Sequence, residues 1–350
     1  MKCELGEGPE TLELFLFIVN LARSADEILP RFIPFLTANS NGSVTLSQHQ
    51  CAIILANMFL GICSDGLTFH SILASSTPLA FEKVKFIMNY FKTLQFSMPS
   101  GNSNSTNISD IGFNVSTTLR IEEAAGCSQM DFANRKIGGG VLGRGAVQEE
   151  ISFLMCPEMI VSLLLFDTME DHEAITIVGA QTYSSYTGYS HNLKWVELNE
   201  SDAALNQNRD EFGRIANELI AVDAEDFSKS NEETQFDAEM IDREINKLLA
   251  GFSSPKTVSL DLPPISTGWW GCGAFKGNKQ LKALIQIIAA SISGRSLVFC
   301  TIRDKMSKDL SNVVDILKKN NITAGELYTL LILYRYDSEF PQKSLFDSIV

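Results

Sequence analysis

Apolar residues recur at three- and four-residue spacing through most of residues 11–95, which predicts helices over 11–23, 47–63 and 78–94. In the last of these, Phe81, Val84, Ile87, Met88 and Phe91 form one stripe, while Pro30 and Pro34 punctuate the connection after the first. A packed helical region is the expectation. Residues 97–110 (SMPSGNSNSTNISD) interrupt it: polar, Gly- and Ser-rich and without period, they read as a linker. Beyond them the pattern changes. Residues 174–178 (AITIV) and 297–301 (LVFCT) read as buried strands, and 148–167 and 279–292 as helices. Such alternation predicts an α/β sheet with helices on both faces. The charged stretches 197–211 and 226–242 read as exposed connections, the second partly helical. No internal repeat is present.

Composition narrows the class. A chain of 350 residues with 45% hydrophobic and 20% charged residues is globular, with room for roughly two domains. Its net charge of −14 argues against a basic surface holding duplex nucleic acid through its phosphates. Seven cysteines, odd in number, scattered and without a CxxC pair, read as free thiols in a reducing compartment. Three glutamates precede the first apolar run where a signal peptide carries basic residues, and the apolar runs at 14–19 and 160–166 are too short to span a bilayer. The Asn-x-Ser/Thr triplets at Asn41, Asn104, Asn107 and Asn114 are then chance matches. His49, His70, His172 and His191 form no HExxH, no GxSxG elbow occurs, and metal dependence is not indicated.

Two glycine-rich segments each lead into a predicted helix: 138–145 (GGGVLGRG), followed by Gln148-Glu149-Glu150, and 267–277 (TGWWGCGAFKG). Glycine lets the backbone approach a ligand closely, and N–H groups at a helix start bind anions without a basic side chain. Neither segment is a Walker A loop or a dinucleotide fingerprint. Each alone also describes an ordinary tight turn; two of them beside a carboxylate pair suggest a diphosphate clamp. Adjacent glutamates on a helix diverge by about 100°, so Glu149 and Glu150 fit opposed glycosidase carboxylates poorly. One acting as acid and base while the other holds sugar hydroxyls fits better, and a bare pair also describes a solvated helix start. Tyr183, Tyr186 and Tyr189 follow a predicted strand, where a ring can stack on a base or simply pack an edge.

These residues resemble a family. The ordered set Asp131-Phe-Ala-Asn134, Gly138-Gly139-Gly140 with Gln148-Glu149-Glu150, Tyr186-Thr-Gly188-Tyr189 and Trp270-Gly-Cys-Gly-Ala-Phe275 is similar to that of the poly(ADP-ribose) glycohydrolases. The resemblance runs from about residue 45 to about 335. It implies a macrodomain-like mixed sheet flanked by helices (residues 111–350), after an N-terminal, mostly α-helical accessory region (1–110) ending in the linker. It further implies hydrolysis of ribose–ribose bonds in poly(ADP-ribose), with ADP-ribose and poly(ADP-ribosyl)ated proteins as partners. No cofactor, metal, membrane or direct duplex contact is implied. Location in nucleus or cytoplasm and a place in the DNA damage response are further expectations. Residue by residue, Glu150 is the catalytic carboxylate, and Glu149 and Asn134 hold hydroxyls of the reacting ribose. Gly139 and Gly140 let the loop press on sugar and diphosphate. Gly271, Gly273, Ala274 and Phe275 form a second diphosphate loop. Tyr189 stacks near adenine with Tyr186 beside it, Ile121 and Glu122 read the base edge, Gln148 lies near the adenosine ribose, and Asp131 orients the Asn134 segment.

Two positions depart from the pattern. Trp269 stands where relatives commonly have Asn, and Ile302 where they commonly have an aromatic; both predict weaker ligand binding with the chemistry kept. A non-catalytic ADP-ribose reader is the alternative, disfavoured by an intact Gln148-Glu149-Glu150. An unrelated α/β hydrolase requires several ordered coincidences. With so acidic a chain, long-range steering of a polyanion should be poor.

Overall fold

A computed structural model describes residues 9–30, 33–39, 42–63, 66–96, 112–198, 206, 209, 214–253, 262–337 and 340–349. The expected linker at 97–110 and most of 197–211 lie outside them. By packing, the chain falls into two compact units, each drawn from three stretches of sequence: one takes 1–104, 136–168 and 179–216, the other 105–135, 169–178 and 217–350.

The first unit is mainly helical. Helix Gln48–Leu60 starts where Ser47 accepts the Gln50 N–H while the Gln50 side chain accepts the Ser47 N–H (3.1 and 2.9 Å), and it stops at Gly61, whose φ of 73° no helix can continue. These caps place both ends inside the predicted 47–63. Helix Pro78–Phe96 runs as expected, and Ile87, Met88 and Phe91 of the predicted stripe are buried. Phe81 is exposed, and the buried face widens to Phe86, Tyr90 and the charged Lys83. The helix predicted over 148–167 is α-helical only across Gln148–Met155. Pro157, which has no N–H to donate, then opens a 3-10 segment, Pro157–Leu164. A hairpin of β4 (Ser184–Thr187) and β5 (Lys194–Glu197) completes the unit. Edge-on rings, Phe59 on Phe91 and Tyr90 on Tyr183 (5.9 and 4.8 Å between centroids), tie its elements together.

The second unit carries a six-stranded sheet ordered β1-β8-β7-β2-β6-β3. Its strands are β1 (Phe113–Ser116), β2 (Ser128–Ala133), β3 (Ile175–Gly179), β6 (Ile215–Asp223), β7 (Ile265–Thr267) and β8 (Leu297–Cys300). The pairs β1–β8, β8–β7, β7–β2 and β2–β6 are parallel. β3 and β8 match the strands read from the sequence; β1, β2, β6 and β7 were not foreseen. The core joins Met130, Ile220, Val222 and Phe299 of the sheet to Leu248, Phe252, Leu284 and Ile288 of helices Ala238–Phe252 and Lys279–Ser293. Each such side chain contributes about 1.5–3 kcal/mol of hydrophobic transfer. The charged stretch 226–242 forms two 3-10 turns and the first residues of helix Ala238–Phe252. No helix among the described residues is long and apolar enough to cross a membrane.

Candidate active site

In the first unit, residues 138–147 wind back on themselves before entering helix Gln148–Met155. The N–H groups of both Gly143 and Gly145 return to the Gly140 carbonyl (2.9 and 3.1 Å). This turn passes over both glutamates of the first helical turn. Glu149 Oε1 accepts the Gly138 N–H at 2.6 Å; Glu150 Oε1 accepts the Gly140 N–H at 2.8 Å and its Oε2 the Val147 N–H at 2.9 Å. The divergence of adjacent helical side chains is therefore met by a loop broad enough to receive both. Burial of both side chains excludes the solvated helix start.

Glycine is required at Gly139. Its φ is 48°, and a Cβ there would lie 2.5 Å from Glu149 Oε2 and 2.6 Å from Glu150 Oε1. Gly145 is excluded from growth in the same way, since its Cβ would fall 2.6 Å from the Glu150 carboxyl carbon. The outer side of the turn at Gly139 is open to solvent while both carboxylates stay beneath it.

The sequence reading missed Lys83. Fully buried, it points its Nζ into the turn and donates to the carbonyls of Gly140, Val141 and Gly143 (3.2, 3.0 and 3.1 Å). Burial pushes its pKa down to about 8, against the opposing pull of the Glu150 charge. In a sequence a lysine on an amphipathic helix reads as solvated; only its place inside the widened buried face marks it out. Ser71 adds a hydroxyl donor to the Leu142 carbonyl.

The three tyrosines part company. Tyr183 is buried and donates to Glu158 Oε1 at 2.7 Å, Glu158 itself being raised by burial. Tyr186 lies in β4 opposite Trp195, so this segment is a hairpin strand and not a loop. Tyr189, half exposed, accepts the Gln148 N–H at its hydroxyl (3.1 Å), and the next residue, Ser190, bonds the Ala146 carbonyl (2.9 Å). Its ring is thereby fixed beside the helix start.

The second unit holds the remaining predicted residues. Asp131 is fully buried within β2, and Asn134 emerges exposed just past the C-terminal end of that strand. Ile121 and Glu122 share one 3-10 turn, with Ile121 buried and Glu122 3.6 Å from the Arg120 guanidinium. The second glycine turn leaves β7 and is clasped by the Gly277 N–H on the Gly271 carbonyl at 2.9 Å. Trp270 anchors it, fully buried and donating to the Val222 carbonyl at 3.0 Å. Gly273 and Ala274 form its exposed crest, and Phe275 packs partly against the core. Beneath the turn, buried Lys282 pairs with Glu244 and stands 4.3 Å from the Trp270 ring; Glu244 also meets Arg243 at 2.9 Å, and Arg243 meets Asp223 at 2.6 Å. Trp269 packs edge-on against Phe299 at 5.0 Å, directed inward. Burial raises the Cys272 thiol to about 12, so at neutral pH it is no nucleophile. Ile302 follows β8 with a φ of 44° and is exposed.

A six-stranded sheet with helices packed on it, and a glycine turn leaving the end of β7, is the α/β arrangement of a macrodomain-type protein, and the family models agree. A family model described as the macro domain fold of poly(ADP-ribose) glycohydrolase matches residues 98–309, and one for that enzyme's helical domain matches 12–106. The chain belongs to the poly(ADP-ribose) glycohydrolase family. It is 40% identical to poly(ADP-ribose) glycohydrolase 2 of Caenorhabditis elegans, over 97% of this chain and 74% of the relative. It is also 40% identical to poly(ADP-ribose) glycohydrolase 1 of the same animal, over 94% of this chain and 45% of the relative. Poly(ADP-ribose) glycohydrolase 1 of Arabidopsis thaliana is 26% identical over 89% of this chain.

Proposed function

We propose that the protein hydrolyses the ribose–ribose O-glycosidic bonds of poly(ADP-ribose), releasing ADP-ribose, with Glu150 as general acid and base. The observation that carries the reading is the Glu150 carboxylate held under a glycine turn by the Gly140 and Val147 N–H groups. Each oxygen accepts one N–H and keeps a second lone pair for a proton. The protonated acid gives that proton to the 2′-oxygen as the bond from the anomeric carbon to this oxygen breaks. Water then adds to the oxocarbenium-like carbon, and its proton returns to Glu150. Glu149 and Asn134 hold hydroxyls of the reacting ribose. Gly139 and Gly140 let the loop press close to the sugar and diphosphate, and Gly271, Gly273, Ala274 and Phe275 form the second diphosphate loop and position the ribose. Tyr189, with Tyr186 beside it, Gln148, Ile121 and Glu122 serve the adenosine, and Asp131 sits in the strand that presents Asn134. Chains attached to proteins are substrates on the same grounds.

The test is purified protein incubated with poly(ADP-ribose), wild type beside Glu150→Gln. Release of ADP-ribose by wild type alone, with ADP-ribose bound by both, is expected. Equal release by both removes Glu150 from the role. Binding without release by wild type makes the protein a reader instead.

A further inference from the structure

A lysine ammonium inside a protein is costly to desolvate, and Lys83 makes no ion pair within 4 Å among the described residues. Its direct partners are three carbonyls of one turn, helped by the more distant Glu150 charge, and a methionine would fill the same space without that cost. We propose that Lys83 is a positioning residue for the reaction. By holding the carbonyls of Gly140, Val141 and Gly143 on the inner side of the turn, it aims the turn's N–H groups. Through the Gly140 N–H it keeps the Glu150 carboxylate in register. The inference rests on the role proposed for Glu150.

Three acceptors match the three N–H bonds of an ammonium; a neutral amine has only two to give. Loss of the Lys83 proton therefore slackens the turn, and a pKa near 8 puts that loss just above neutrality. The charged groups bearing on it are Glu150 on the following helix and, next to it on its own helix, Glu82, which is occupied by Lys85 and Lys194. Stability moves the opposite way to activity. Between about 8 and the ordinary lysine value of 10.5 the unfolded chain keeps a proton that the folded chain has shed. Folding thus gains from this group as pH rises through the window.

The experiment measures kcat on poly(ADP-ribose) from pH 6 to 9.5, with thermal melting, for wild type, Lys83→Met and Glu150→Gln. Lys83→Met should melt no lower than wild type yet lose about 10- to 100-fold in kcat at pH 7. Wild-type kcat should fall above pH 8 towards the level of the variant, whose own profile lacks that step. Full activity in Lys83→Met, or a wild-type profile flat to pH 9.5, overturns the inference, and the wild-type profile decides alone if the variant does not fold. Should Glu150→Gln be as active as wild type, the function reading fails instead, whatever Lys83 does.

Discussion

Backbone conformation decides where the Ile302 side chain points. A β-branched residue at φ 44° is strained, and Arg303 beside it is also left-handed at 60°. Two such residues at the end of β8 thrust the exposed Ile302 side chain outward, at the position where the family resemblance leads one to expect an aromatic. If that side chain packs on the ligand's ribose, Ile302→Phe regains a ring face worth about 0.5–1.5 kcal/mol. Titration calorimetry with ADP-ribose should then show roughly threefold to tenfold tighter binding, and no gain removes Ile302 from the ligand. Trp269 belongs to a different case. Its ring is spent on Phe299, with Lys279 above it at 5.2 Å, so this side chain serves packing.

At the scale of elements, each glycine turn rests on a buried lysine from a helix: Lys83 under the first, Lys282 under the second. They differ in their counter-groups. Lys83 meets carbonyls alone, whereas Lys282 is charge-paired through Glu244 and Arg243 to Asp223 at the end of β6. Removing one member of a buried ion network leaves the others uncompensated. Glu244→Ala should therefore cost about 3–5 kcal/mol of stability in urea unfolding. A loss under 1 kcal/mol would mean that the network is solvated. The hairpin β4–β5 has a similar supporting task, as the connection between its two strands carries Tyr189 back to the start of helix Gln148–Met155.

For the whole molecule, the charge of −14 opposes a polyanionic substrate; the Gly140 and Val147 N–H groups of the first turn are taken by Glu150, so what faces a diphosphate is main-chain dipoles such as those of the exposed crest Gly273–Ala274. Such dipoles act at contact and do not reach past a Debye length of about 8–10 Å. Raising salt from 50 to 300 mM should change kcat/KM on poly(ADP-ribose) by less than about threefold, because few phosphate counterions are released. A fall of an order of magnitude would reveal a basic track that the charge count hides.

The sequence by itself determined the family, the helical opening, strands β3 and β8, and the ordered residues from Asp131 to Phe275. Those signals are local: period, glycine clusters and a carboxylate pair stand next to one another in the chain. It concealed β1 and β7, of four and three residues, and β2 and β6, whose Asp131 and Glu218 break the apolar pattern. Tertiary structure alone decided three further matters. It showed how far the buried face of helix Pro78–Phe96 extends, and hence that Lys83 lies under the first glycine turn. It turned the tyrosine segment into a hairpin. It also brought two diverging glutamates under one turn. Each of these depends on what packs against a residue from far along the chain, and helical period is blind to that.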